Sequence, residues 1–183
     1  MKRLSKRCYS RVVVSKKGER LILGIDPGTA RVGYGLIAQS GNRLRMVEAG
    51  CIQNTPAMSQ SERLSRIFER ISEILAQTAP DVMSVEQLFF AKNVTTGLTV
   101  AQARGVILLA AARAEVPLAE YRPLQIKQSV CGYARADKKQ VQEMVKRLLG
   151  LKEIVRPDDA ADALAAAICH AHSAILERIQ VKK

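Results

Sequence analysis

Residues 21–37 read "LILGIDPGTARVGYGLI", and the fold turns on how that stretch is read. Its first run, "LILGID", is apolar in the manner of a buried strand, yet it ends in a single carboxylate, Asp26, before breaking at Pro27-Gly28. A buried, unpaired carboxylate costs several kcal/mol or takes up a proton, so a strand here requires partners for Asp26 elsewhere in the chain. The second run, "RVGYGLIA", and a third, "LRMVEAGCIQ", are separated by the turn signal "QSGN". Three short runs so punctuated predict an antiparallel meander.

The periodicity then changes. In "SQSERLSRIFERISEILAQTAP" (59–80) Leu64, Ile67, Ile71, Ile74 and Leu75 recur at helical spacing until Pro80 stops the pattern. "DVMSVEQ" reads as a short buried strand, "TTGLTVAQARGVILLAAARAEV" as a long helix apolar on most faces, and "LAEYR" as another short strand. Pro123 opens a short helix over "LQIKQSV", "DKKQVQEMVKRLLG" closes on Gly150, and "DDAADALAAAICHAHSAILERI" is a final helix. Three meander strands followed by two αβ units predict an α/β fold, a five-stranded mixed sheet with helices on both faces. Small residues in the long helix (Ala101, Ala103, Gly105, Ala110, Ala111, Ala112) suit close packing, either within the chain or across a dimer contact.

With 183 residues, 48% of them apolar, the chain is long enough for one domain with a sizeable core, placed at residues 21–180. No apolar run reaches the roughly 18 residues of a membrane span, and the first twenty residues lack the apolar stretch of a secretory signal. A cytosolic protein is the expectation. Cys8, Cys51, Cys131 and Cys169 lie far apart with no C-x-x-C pair, and His170 and His172 have no cysteine at ligand spacing, which argues against zinc and against a disulfide framework. Cys169 reads as a small core side chain.

The net charge is +12, and +7 of it sits in residues 1–20, which hold eight Lys or Arg and one Glu. That segment reads as a flexible basic arm, and the whole balance points to a polyanionic partner.

Partners for Asp26 now emerge. Glu86 ends "VMSVE" as Asp26 ends "LILGID", each an acid at the carboxyl end of an apolar strand, where open α/β sheets place ligands. At the start of the last helix Asp159 and Asp162 stand at i, i+3 and Asp158 and Asp162 at i, i+4, so either pair shares a face. A strand-end Asp is often a turn residue, and Asp158 or Asp159 suits a helix cap, but a cap does not explain Asp162, one turn inside an apolar face. Two like charges about 4 Å apart repel by roughly 4 kcal/mol at an effective dielectric of about 20, so four together require cations. Magnesium, a hard cation that prefers oxygen, relieves that repulsion, and a pair of such ions serves phosphodiester hydrolysis. A basic chain with an acidic metal pocket predicts a metal-dependent nuclease.

"GIDPGTARVGYGLI", "VEQLFFAKN", "AQARGV", "QIKQSVCGYARADKKQVQ" and "PDDAADALAAAICHAH" resemble, in unbroken order from about Leu21 to His172, successive segments of the RuvC family of bacterial Holliday-junction resolvases. The resemblance implies a ribonuclease H-like fold and a homodimer that nicks two strands of a four-way DNA junction symmetrically, with two magnesium ions per site or manganese in their place. By motif it puts the catalytic, metal-binding acids at Asp26, Glu86, Asp159 and Asp162, choosing Asp159 over Asp158. It puts a DNA-binding lysine at Lys127, a catalytic and DNA-binding lysine at Lys138, and the aromatic at the junction centre at Phe89. The branch-migration proteins RuvA and RuvB are the implied partners. Phe89 and Phe90 follow Glu86 in the polar segment "FFAKN", where one ring suits the core and the other stacking on an unpaired base. Lys92, Arg104 and Lys139 are weaker candidates for phosphate contacts.

Three other readings compete. A ribonuclease H-like nuclease of the YqgF type acting on RNA shares the early Asp motif, but the "VEQLFFAKN" segment and the length favour the resolvase. An ATPase of the actin and sugar-kinase class has a phosphate loop like "GIDPGT" but needs two such domains. A branched-DNA binding module without catalysis is the reading from outside the enzymes.

Overall fold

The computed structural model of the chain describes residues 18–87 and 94–180. In chain order the elements are β1 (Arg20–Asp26), β2 (Arg31–Ser40), β3 (Arg43–Gln53), α1 (Gln60–Thr78), β4 (Val82–Glu86), α2 (Val94–Arg113), β5 (Leu118–Tyr121), α3 (Pro123–Cys131), α4 (Lys138–Leu148) and α5 (Asp158–Gln180). The meander pairs antiparallel, with Asp26 opposite Gly33 and Gly33 opposite Cys51. β4 and β5 extend the sheet on the other side of β1 in parallel, for a strand order of β3-β2-β1-β4-β5. β1 begins at Arg20, and Glu19 pairs with Arg45 of β3, so residues 18–20, assigned by sequence to the basic arm, are part of the fold.

Alternation along β1 and β4 sorts their side chains onto two faces. Leu21, Leu23, Ile25, Met83 and Val85 enter the core shared with α1 and α2, where Ile67, Ile71, Ala103 and Ile107 are fully buried. Ile22 and Val82 enter the second core, formed with α3, α4 and α5. Asp26 follows Ile22 and Gly24 in that alternation, and Glu86 follows Val82 and Ser84, so both acids belong to the α5 face. The register carries them side by side, since Ile25 pairs with Val85 immediately before them.

α5 lies unusually close to this face. A Cβ on Gly24 would stand 1.9 Å from the Ala163 carbonyl oxygen, and one on Gly33 would stand 1.9 Å from that of Asp159. Only glycine admits a helix backbone at that distance. Ser84 Oγ donates to the Ala166 carbonyl at 2.7 Å, and Gln39 Nε2 donates to that of Ala171 at 3.3 Å, fixing the helix along its length.

α1 starts with a capping box between Ser59 and Glu62 and ends at Ala79 in the left-handed region. On α2 the small residues divide: Ala103, Ala110 and Ala111 are buried within the chain, while Leu98 (57% exposed), Gly105 and Leu109 (52% exposed) share an outward face. Cys169 is buried in the second core, as its pattern predicts. Among the described residues no helix is long and apolar enough to cross a membrane.

Candidate active site

The four acids read from the sequence come from three elements. Asp26 and Glu86 are the last residues of β1 and β4. Asp159 and Asp162 lie in the first turns of α5, where the glycines of β1 and β2 seat that helix against the sheet.

Their electrostatics show the convergence. Burial, followed by the charges of Glu86, Asp162 and Asp159, pushes the Asp26 carboxyl from an ordinary 3.8 up to about 8, with Lys138 pulling the other way. Burial and then Asp162 raise Glu86 above its usual range, against Lys127. Burial also raises Asp162, opposed by a hydrogen bond and the charge of Lys138.

Two cations touch the outer carboxylates. Arg31 Nε stands 3.3 Å from Asp159 Oδ2, and Lys138 Nζ stands 3.1 Å from Asp162 Oδ2. Lys138 is the first residue of α4, whose N-terminus is set by a capping box between Asp137 and Gln140. Lys127, on α3, lines with Lys138, Glu86, Asp162, Ile126 and Val141 a cleft of about 240 Å³. Lys127 and Lys138 therefore border the same cleft as two of the acids.

The donor set fits a hard divalent cation in kind: it is all carboxylate oxygen, and its mutual repulsion is what such a charge relieves. It is not closed as a ligand shell. Among the described residues no group of three or more His, Cys, Asp or Glu is gathered closely enough to hold a metal ion as it stands.

Other predicted residues fall elsewhere. Arg104 is drawn into an ion pair: its Nη2 is 2.6 Å from Glu120 Oε1, which ties α2 to β5. The reason is that β5 lies beside β4 and brings an acid to it, which helix spacing does not reveal. Lys139 borders a separate groove with Tyr133 and Arg147. Phe89, Phe90 and Lys92 lie outside the described residues. His170 Nδ1 meets Tyr121 Oη at 2.8 Å and His172 Nδ1 meets the Ser129 carbonyl oxygen at 3.1 Å, so both rings tie α5 to its neighbours.

Sequence reasoning missed Arg31. The signal was there in "DPGTARVG": a cation opening β2, whose Gly33 lies opposite Asp26 in the meander register.

A five-stranded mixed sheet in this order, with helices on both faces and acids at the carboxyl ends of its two central parallel strands, is the architecture of a ribonuclease H-like nuclease. The chain is 36% identical to Thermus thermophilus RuvC, solved in complex with a Holliday junction substrate, with a TM-score of 0.79 over 85% of this chain and 96% of that one. It is 53% identical over 161 residues to the crossover junction endodeoxyribonuclease RuvC of Rubrobacter xylanophilus, covering 88% of this chain and 90% of the relative. With that of Heliobacterium modesticaldum it shares 58% over 153 residues, 84% and 94% of the two chains. Residues 22–170 match the family described as crossover junction endodeoxyribonuclease RuvC, and the chain belongs to that family.

Proposed function

We propose that Asp26, Glu86, Asp159 and Asp162 hold two magnesium ions, or manganese in their place, and that this pocket cuts one strand of a four-way DNA junction in each subunit of a homodimer. The chain is an endonuclease of Holliday junctions. The observation that carries the site assignment is geometric: Asp26 and Glu86 end adjacent parallel strands, and the α5 backbone at Asp159 lies against Gly33, the residue opposite Asp26, a convergence in keeping with the raised Asp26 carboxyl. When bound, such a pair of cations activates a water and stabilises the leaving oxygen of the phosphodiester. The chain's own residues do the rest. The carboxylates fix the cations, and Lys127 and Lys138 offset the pocket's negative charge where a phosphate must enter. Two symmetric nicks require two sites, and the outward face of α2, with Leu98, Gly105 and Leu109, supplies an apolar surface for a second copy. RuvA and RuvB are the further partners that the family likeness implies.

The experiment compares a synthetic four-way junction with a linear duplex and an RNA hairpin, with and without magnesium. Paired symmetric nicks in the junction alone are expected, and only with the metal. Cleavage of the hairpin instead favours the RNA nuclease, and junction binding without any cleavage favours a binding module.

Two further outcomes follow from the charges. Lys138→Met is expected to slow cleavage roughly 10²-fold. It should also move the onset of activity to higher pH, because the ammonium helps Asp26 and Asp162 to ionise. A pH–rate profile of both proteins under saturating junction checks this, and an unmoved acidic limb refutes it. Residues 1–17 carry seven Lys or Arg and no acid. Removing them should leave the melting temperature unchanged and flatten the salt dependence of junction binding by about one unit of slope for each phosphate that the arm neutralises. An unchanged slope in a salt titration assigns the arm no role in affinity.

A further inference from the structure

Asp158 is the acid that the four-carboxylate pocket leaves without a role. It opens α5 and stands one helical turn before Asp162, and α4 packs along this helix. Lys138 Nζ, from the first residue of α4, lies 3.5 Å from Asp158 Oδ2 while it also reaches Asp162 Oδ2 at 3.1 Å. Arg156 Nη1 is bonded to the other oxygen, Asp158 Oδ1. Gln142, buried one turn along α4 from Lys138, adds a side-chain hydrogen bond to the same carboxylate.

The ammonium of Lys138 is thus suspended between two carboxylates of α5. Lysine is a point charge on a flexible four-carbon stem, so its location depends on what anchors its tip. One anchor, Asp162, is shared with the metal-binding set. The other, Asp158, is itself held by donors from two further positions and carries no such second duty.

We propose that Asp158 is a positioning residue, which holds the Lys138 ammonium at the mouth of the cleft beside Glu86 and Asp162 and acts on cleavage only through that lysine. The proposal rests on the reading of this cleft as the cleavage site. It accounts for two adjacent acids at the start of α5 by giving them different tasks, Asp159 turned toward the sheet and Arg31, Asp158 toward α4.

The test is a double-mutant cycle of Asp158→Asn with Lys138→Met in the full-length protein, by single-turnover cleavage of a four-way junction in magnesium. Junction affinity is measured in calcium and melting temperature without metal. Asp158→Asn is expected to slow cleavage roughly tenfold, since a misplaced catalytic group costs about that much or more. Affinity and melting temperature should stay near wild type, and Asp158→Glu should recover most of the rate. In the Lys138→Met background Asp158→Asn should cause no further loss. An equal loss in both backgrounds overturns the proposal, because Asp158 then acts independently of Lys138. So does a wild-type rate for Asp158→Asn, or a loss that follows the melting temperature. Failure of the wild-type protein to cut the junction would instead remove the reading of the cleft on which this one rests.

Discussion

Asp26→Asn is expected to abolish junction cleavage, by at least about 10³-fold, and at the same time to make the metal-free protein more stable above neutral pH. The two effects share one cause. In the folded chain the Asp26 carboxyl titrates at about 8, against 3.8 ordinarily, because of burial and then of Glu86, Asp162 and Asp159. Between those values the folded protein keeps a proton that the unfolded chain has released. Folding takes up that proton, so without metal stability falls as pH rises from about 4 to about 8, by roughly 1.4 kcal/mol per pH unit for one such group. The amide has no proton to lose and escapes the decline. Melting curves in chelator at pH 5 and pH 8 should show the variant overtaking the wild type as pH rises. Added magnesium should then restore the wild type alone. Glu86 and Asp162, raised in the same direction, leave a smaller decline in the variant. A difference between the two proteins that does not change with pH sinks this account, as does any amide variant that still cuts at the wild-type rate.

Gly24→Ala is expected to give a large loss of stability for a single added methyl. The added methyl would meet the Ala163 carbonyl oxygen at 1.9 Å and the Ala167 nitrogen at 2.8 Å, and both belong to the α5 backbone, which cannot rotate aside. Either α5 lifts or the sheet bends, and overpacking of this kind costs about 3 kcal/mol or more. For a chain of this size that lowers the melting temperature by roughly 10 °C. Cleavage should fall with it even at temperatures where the variant is folded, because Asp159 and Asp162 move with the helix. Gly50→Ala is the comparison. There the methyl would meet the hydroxyl end of Tyr34 at 2.5 Å, the far end of a half-buried side chain rather than helix backbone, so a shift of only about 3 °C is expected. Equal shifts for the two variants would show that contact with helix backbone is not what makes Gly24 special.

Much of this architecture is legible in the sequence. The periodicity of each segment records which of its faces is buried, so the meander, both αβ units and the final helix can be read in order, with α1 and α5 close to their observed limits. Asp26, Glu86 and Asp162 stand out for the same reason: each is a charge where the pattern calls for an apolar residue. Asp158 and Asp159 are harder to tell apart by pattern, because both suit the first turn of a helix. One residue is about 100° of helix rotation, and that angle alone turns Asp159 toward the sheet and Asp158 toward α4.

Residue patterns alone specify the set of elements and the charges that violate their periodicity. The tertiary structure decided which of those charges meet. β4 pairs with β1 rather than with the edge of the meander, and that choice places Glu86 beside Asp26. Glycines at 24 and 33 let the α5 backbone descend onto the sheet, which brings Asp159 and Asp162 to the two strand ends. Arg31 reaches Asp159 across that contact, while Arg104, similar in the one-dimensional pattern, is taken by Glu120. Periodicity reports the burial of one element at a time. An ion pair depends on the relative placement of two, and that placement exists only once the elements have packed.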